Sequence, residues 1–266
     1  MRDFDLVRPA SVAEAAAAFA ASGDAAYLAG GHTLIPAMKA RLRAPETLVD
    51  LSRLPGLTGV TRDGDRLWVG ALTTHAAVAE DATVEAAIPG LSALALLIGD
   101  PQVRAKGTLG GVIANNDPAA DYPAACLALD ATIVTDRAEY GAGDFFQGMF
   151  ATALSDGEIV TRVGFRVPTA SAYAKFRHPA SRYAVAAVYV ARFTDGVRVA
   201  VTGAGPGAFR WTEAEAALTA SFDAGAVAGL TLEDGDLSSD IHCSAEYRAH
   251  LCGVMLAQAV EGSING

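Results

Sequence analysis

The chain contains two glycine pairs, each close to a threonine, and residues of these types at this spacing could bind a ligand. One lies in Leu28-Ala29-Gly30-Gly31-His32-Thr33-Leu34, at the end of an apolar run, and the other in Thr108-Leu109-Gly110-Gly111. Glycine permits positive φ and close approach of a ligand, and consecutive N–H groups in such a turn form a concave anion site. The pattern indicates two turns that hold one diphosphate from both sides. The alternative is that each is an ordinary strand-to-helix turn.

Sequence motifs for nucleophilic catalysis, metal binding or dinucleotide binding are absent or incomplete. No GxSxG nucleophile turn occurs, and the histidines lie in no HExxH or comparable metal-ligand spacing. The stretch Gly203-Ala204-Gly205-Pro206-Gly207 is interrupted by proline, and the next helical pattern starts late, so we interpret it as a loop rather than a dinucleotide fingerprint. The sequence therefore predicts no catalytic residue and no metal site.

Composition narrows the class of protein further. The net charge is −10 and there is no run of Lys or Arg, which argues against nucleic-acid binding. The three cysteines, Cys126, Cys243 and Cys252, form no CxxC, so neither a disulfide framework nor a cluster site is expected. With no recognisable signal peptide and no apolar stretch long enough to span a membrane, we expect a cytoplasmic protein.

Periodicity and turn signals predict the elements that position the two glycine turns. The chain opens as strand, helix and strand, with Ser11 and Glu14 as a capping box, and the first turn follows at the carboxyl end of the second strand. A hairpin is predicted over 59–72, with Thr74 capping the next helix. Further helices are predicted over 34–41, 83–88, 91–98, 121–129, 144–149, 211–218 and 242–260. Further strands are predicted over 47–51, 131–135, 158–168, 173–177, 183–193 and 197–202. Boundary signals suggest domains at 1–54, 55–170 and 171–266.

The two turns and their flanks carry a family resemblance. Together with Gly99-Asp100-Pro101-Gln102-Val103-Arg104 and Asp117-Pro118-Ala119-Ala120-Asp121, they make the chain resemble the FAD-binding medium subunit of molybdenum hydroxylases of the carbon monoxide dehydrogenase and xanthine dehydrogenase type. The resemblance runs from about Phe4 to Arg192. It implies an α+β fold, with a two-lobed FAD-binding domain of the PCMH (vanillyl-alcohol-oxidase-like) type and a smaller C-terminal α+β domain.

The resemblance also implies which residues meet the FAD. The Ala29–Thr33 backbone and the Thr33 hydroxyl would meet the diphosphate, with His32 in a backbone or structural role. Asp121 would serve ribityl hydroxyls, cap a helix, or do both. Lys175 and Tyr183 would meet the isoalloxazine, unless both are half-exposed strand residues. The full set is Leu28, Ala29, Gly30, Gly31, His32, Thr33, Leu34, Thr73, Thr108, Leu109, Gly110, Gly111, Asp121, Val160, Lys175 and Tyr183.

One departure concerns position 112, which is Val where close relatives often have Asn after the glycine pair. The change removes one side-chain hydrogen bond and leaves the backbone turn unaltered. Its expected effect is on cofactor affinity and not on the fold.

The function implied by the resemblance is electron transfer. FAD would take electrons from a [2Fe–2S] cluster on a small partner subunit and pass them to an acceptor such as NAD⁺, a quinone or oxygen. A large partner subunit would carry the molybdopterin and the substrate site, which gives a heterotrimer. The alternatives are a stand-alone flavin oxidoreductase and an FAD-free scaffold of the same fold.

Overall fold

The computed structural model describes residues 1–265, and its strands form four sheets. The strands are β1 (Asp5–Val7), β2 (Ala25–Leu28), β3 (Thr47–Asp50), β4 (Val60–Asp63), β5 (Arg66–Gly70), β6 (Thr132–Thr135), β7 (Glu139–Gly141), β8 (Phe146–Gly148), β9 (Ala151–Thr152), β10 (Val160–Arg166), β11 (Ala170–Arg177), β12 (Ala184–Phe193), β13 (Gly196–Thr202) and β14 (Phe209–Arg210). The helices are α1 (Val12–Ala20), α2 (Leu34–Lys39), α3 (His75–Glu80), α4 (Ala82–Ala87), α5 (Pro89–Leu96), α6 (Pro101–Arg104), α7 (Leu109–Asn115), α8 (Tyr122–Ala128), α9 (Ala142–Phe145), α10 (Thr212–Ala220) and α11 (Ala245–Asn265), with a 3-10 turn at Ala224–Val227.

The first sheet is parallel, in the order β1-β3-β2, and it confirms the predicted strand–helix–strand opening. The Ser11 hydroxyl caps α1 by accepting from the Glu14 amide, although the Glu14 carboxylate accepts from Ala10 rather than from Ser11. Alternate side chains of β3 enter two small cores, Val49 towards α1 and Leu48 towards α2. The sheet thereby fixes the direction in which the chain leaves β2 and enters the first glycine turn.

The second sheet is antiparallel, in the order β4-β5-β10-β6-β7. The predicted hairpin is confirmed, with Val60 opposite Val69 and Gly64 at φ +59° in the turn. Apolar side chains from three of its strands join the buried faces of several helices, α7 and α8 among them, in the largest core. The second glycine turn is the N-terminal end of α7, so this core determines where the turn lies.

The third sheet is antiparallel, in the order β11-β12-β13-β14, and its long strand β12 is buried on both faces. Ala187, Tyr189 and Ala191 belong to the largest core, whereas Val188 and Val190 belong to a separate core with α10 and α11. Successive side chains of a strand point to opposite faces, so β12 joins the two cores through one segment of backbone.

Three predicted elements differ from the structure. The two predicted helices over 83–88 and 91–98 are present as α4 and α5, but α5 begins at Pro89 rather than at residue 91, because proline is tolerated at the first helical position. Helix α11 begins at Ala245, so His242 precedes it and does not share a helix with His250. Residues 146–148 form β8 rather than continuing the short helix α9.

The mixture of separate helices and mainly antiparallel sheets confirms the α+β class. The domain boundaries at 54 and 170 stay predictions. Within the described residues, every helix falls short of the length or apolar character that crossing a membrane requires.

Candidate cofactor site

The two glycine turns lie against each other. A Cβ on Gly30 would be only 2.2 Å from the Lys106 carbonyl oxygen and 2.8 Å from the Gly107 Cα. A Cβ on Gly111 would be 3.8 Å from the Ala29 Cβ. The convergence expected from the sequence is therefore present, and at Gly30 it requires a residue without a side chain.

A cavity of about 680 Å³ opens between the turns, within the range of about 300–1,000 Å³ that is common for small-molecule sites. Most of the residues predicted to bind cofactor line it, namely Leu28, Ala29, Gly30, Gly31, His32, Thr33, Leu34, Thr108, Gly110, Gly111, Asp121, Val160 and Tyr183. Thr73, Leu109 and Lys175 are not on its wall. The role of these three residues in cofactor binding stays a prediction.

The first turn has free hydrogen-bond donors. Within the described part of the chain, the backbone amides of residues 30–33 donate to no other protein group. Gly31 has φ +74°, which side-chain-bearing residues rarely adopt, and a Cβ there would lie 2.8 Å from the Ile35 Cδ1. Adjacent unpaired amides on a cavity wall are suited to an anion such as a diphosphate.

The second turn uses its amides internally. The Leu109 amide donates to the Thr73 carbonyl (3.1 Å), the Gly110 amide to the Ala71 carbonyl (2.8 Å) and the Gly111 amide to Thr108 Oγ1 (3.2 Å). Gly110 is small because a Cβ would lie 2.5 Å from the Ala71 Cβ. The two turns are thus unequal: the first offers backbone donors, and the second offers a rigid wall and the Thr108 hydroxyl.

Thr73 and Leu109 hold that wall in place. Both are buried, and the Thr73 hydroxyl exchanges hydrogen bonds with the backbone of Gly59 at 3.0 and 3.3 Å. The Thr74 hydroxyl caps α3 as predicted, by accepting from the Ala77 amide. The Leu109 amide, which donates to the Thr73 carbonyl, ties the start of α7 to this segment.

Asp121 is the centre of a buried polar network. Lys175 Nζ lies 2.8 Å from one of its carboxylate oxygens and 3.0 Å from the other, and the Tyr173 hydroxyl donates to it as well. Lys175 Nζ also donates to the Leu97 carbonyl at 3.2 Å. Burial of the carboxyl group raises the pKa of Asp121, and the Lys175 ammonium and the Tyr173 hydroxyl offset part of that rise.

This network decides two of the alternatives left open by the sequence. Asp121 does not cap α8 with its side chain, because its own φ and ψ are helical and its oxygens face Lys175 and Tyr173. Lys175 is not a half-exposed strand residue, since its side chain is only 1% exposed. It contacts the cavity only through Asp121.

Tyr183 lies at the mouth of the cavity. It is 49% exposed and ends the loop between β11 and β12. The neighbouring Arg182 has φ +63°, and its guanidinium donates to the Gly99 carbonyl across the opening at 3.2 Å. Partial burial, with Asp117 and Asp121 nearby, raises the pKa of the Tyr183 phenol. This loop closes one side of the cavity.

His75 is a cavity residue that the sequence reasoning missed. Its side chain is 1% exposed, and its amide donates to the Gly107 carbonyl at 3.0 Å. Burial, followed by the charges of His32 and Arg104, lowers the pKa of the imidazole to about 4. Its place directly after the predicted cap Thr74 was the available signal, but a helix start does not reveal which side chains are buried.

Comparison with known proteins gives matches over most of the chain. Residues 2–170 match the family model described as "FAD binding domain in molybdopterin dehydrogenase". The carbon monoxide dehydrogenase medium chain of Afipia carboxidovorans is 36% identical, with 97% of this chain and 96% of that one aligned. The nicotine 6-hydroxylase medium subunit of Paenarthrobacter nicotinovorans is 34% identical, with 95% and 94% aligned.

Solved structures give the same result. Quinoline 2-oxidoreductase from Pseudomonas putida 86 matches with a TM-score of 0.90 at 27% identity, over 100% of this chain and 98% of that one. Reconstituted CO dehydrogenase from Oligotropha carboxidovorans matches with a TM-score of 0.90 at 35% identity, over 98% of each chain. These matches confirm the fold class expected from the sequence.

The buried ion pair provides a stability test. Replacing Lys175 with Met leaves the Asp121 carboxylate buried without its cation, which we expect to lower the free energy of unfolding by about 3–5 kcal/mol. Arg177→Met, at an exposed position of the same strand, is the matched control and should change it by no more than about 0.5 kcal/mol. Urea denaturation measures both, and equal effects of the two substitutions would contradict the ion-pair role.

The buried imidazole gives a pH test on the cofactor-free chain. The pKa of His75 is about 4 in the folded state and about 6.5 in the unfolded state, so the unfolded state binds more protons between these values. We expect His75 to cost up to about 3 kcal/mol of stability as the pH falls from about 6.5 to about 4. Denaturation of wild type and His75→Leu across this window measures the difference, and parallel curves would show that His75 is not buried as a neutral group.

Proposed function

Because this chain belongs to the family of FAD-binding domains of molybdopterin dehydrogenases, we propose that it is the FAD-binding subunit of a molybdenum-containing hydroxylase or dehydrogenase. The observation that carries the proposal is that two glycine turns meet on one cavity within the matched residues 2–170. The carbon monoxide dehydrogenase medium chain of Afipia carboxidovorans aligns with 97% of the chain, and the nicotine 6-hydroxylase medium subunit with 95%. The alignments also span 96% and 94% of those two relatives.

The residues on the cavity wall fit FAD. The unpaired amides of residues 30–33 are suited to the diphosphate, with the hydroxyls of Thr33 and Thr108 on either side. The carboxylate of Asp121 is suited to ribityl hydroxyls, and Val160 lies on the same wall. Tyr183, at the mouth, is placed to cover one face of the isoalloxazine.

When bound, FAD supplies the redox chemistry, and the protein supplies position and electrostatics. In this assignment the first turn binds the diphosphate and the second turn fixes its distance from β2. Lys175 balances the charge of Asp121 and holds its carboxylate oriented. It is thus a positioning residue, in place of the direct flavin contact that the family resemblance suggested.

The relatives support the assignment of partner subunits. A medium chain and a medium subunit are, by their descriptions, parts of larger enzymes. We therefore assign to this chain a small partner with a [2Fe–2S] cluster, a large partner with molybdopterin, and an external electron acceptor, in a cytoplasmic heterotrimer. The stand-alone flavin oxidoreductase is not favoured, because the relatives of matching length are subunits.

The contact between the turns gives a test of FAD binding. In Gly30→Ala the new methyl group would meet the Lys106 carbonyl, so the turns must separate, and we expect bound FAD to be lost. Gly23→Ala is the matched control, because a Cβ at that position meets nothing within 4 Å. Flavin absorbance per mole of purified chain measures occupancy. Full flavin occupancy in Gly30→Ala would contradict the proposal that the contact between the two glycine turns is needed for FAD binding.

The subunit role is tested on the native assembly. An affinity tag on this chain, used in the source cells, should recover two further polypeptides together with iron and molybdenum. The isolated chain should bind FAD without turning over substrates of the assembly. Substrate turnover by the chain alone would favour the stand-alone oxidoreductase, and recovery of the chain without flavin, metal or partners would contradict the proposal.

A further inference from the structure

The cavity wall includes one polar side chain that is buried and has no partner. Among the described residues, no hydrogen bond is made by the His75 imidazole, and its Nδ1 is enclosed. A buried polar atom without a hydrogen-bond partner lowers the stability of the fold. Such an atom beside a ligand cavity therefore needs an explanation.

The imidazole lies where the two glycine turns meet. A Cβ on Gly107 would be 2.5 Å from His75 Nε2 and 2.8 Å from its Cδ2, so this edge of the ring packs directly against the backbone before Thr108. The same Gly107 Cα faces Gly30 of the first turn. One ring edge is therefore next to both parts of the proposed diphosphate site.

Burial of the His75 ring favours its neutral form. Burial is the largest cause of its lowered pKa, and the electrostatic effects of His32 and Arg104 act in the same direction. The ring of Tyr122 lies 5.4 Å away, centre to centre. A neutral imidazole has one N–H donor and one acceptor nitrogen, and here neither is used by the protein.

We propose that the imidazole of His75 donates a hydrogen bond to the diphosphate of bound FAD. The amides of the second turn already donate to Thr73, Ala71 and Thr108. The His75 side chain would therefore supply the hydrogen-bond donor that the backbone of this turn cannot offer to the diphosphate. The inference rests on the proposed function, since it takes FAD as the ligand. It adds a residue that neither glycine motif contains.

The test is FAD binding by the full-length chain after removal of flavin, with wild type, His75→Leu and His75→Gln. Leu fills the site without a donor. Because a hydrogen bond to a charged group is lost, we expect His75→Leu to bind FAD about 10- to 100-fold more weakly than wild type. Gln keeps an N–H donor, so it should recover most of that loss. His250→Leu, an exposed histidine of α11, is the matched control and should bind FAD as wild type does.

Two further probes separate the diphosphate from other causes. ADP has the diphosphate without the flavin, so its affinity should fall in His75→Leu in parallel with that of FAD. Riboflavin has no phosphate, so all variants should bind it with equal affinity. The apoprotein of His75→Leu should be at least as stable as wild type at neutral pH, because the substitution removes an unpaired buried polar group.

The outcomes distinguish the two proposals. If wild type does not bind FAD, the proposed function fails. If wild type binds FAD and His75→Leu binds both FAD and ADP equally well, the proposed function stands and the role of His75 is overturned. The role is also overturned if His75→Leu lowers the affinity for riboflavin as much as the affinity for FAD. It is likewise overturned if the lower FAD affinity of His75→Leu comes with a less stable apoprotein and His75→Gln does not restore that stability.

Discussion

The site depends on a contact between two backbones. Gly30 approaches Lys106 and Gly107 so closely that no Cβ fits between them. Because this contact joins the end of β2 to the start of α7, it brings the parallel sheet and the antiparallel sheet to one cavity. At this contact the separation of the two turns is set by backbone atoms, which cannot adjust by changing rotamer.

The third sheet supports this arrangement from the other side. Its strand β12 contributes alternate side chains to two cores. In the next strand, β13, the Thr202 hydroxyl donates to the Ala120 carbonyl at 2.7 Å and lies 3.1 Å from the Pro118 carbonyl oxygen. Asp121 follows directly in the chain and is held by Lys175 and Tyr173 of β11. The segment that presents Asp121 to the cavity is thus fixed by strands that come later in the sequence.

The glycine turns, the hairpin and the caps at Ser11 and Thr74 could be predicted, because each depends on residues close together in the chain. The placement of Lys175 could not. Period-two alternation puts Tyr173 and Lys175 on one face of β11, but nothing local shows that α5 packs on this strand or that Asp121 lies beside it. His75 was missed for the same reason, since its burial depends on α8 and on the backbone of Gly107. The unequal use of amides in the two turns also depends on distant carbonyls, at Ala71 and Thr73.

The use of unpaired amides in the first turn has a consequence for how an anionic ligand arrives. The chain has a net charge of −10, so its long-range field repels a diphosphate in solution, and that repulsion is screened by added salt. Hydrogen bonds to amides in an enclosed turn act at short range and are screened far less. Ionic strength should therefore govern the rate at which the ligand is captured while leaving the lifetime of the bound complex nearly unchanged.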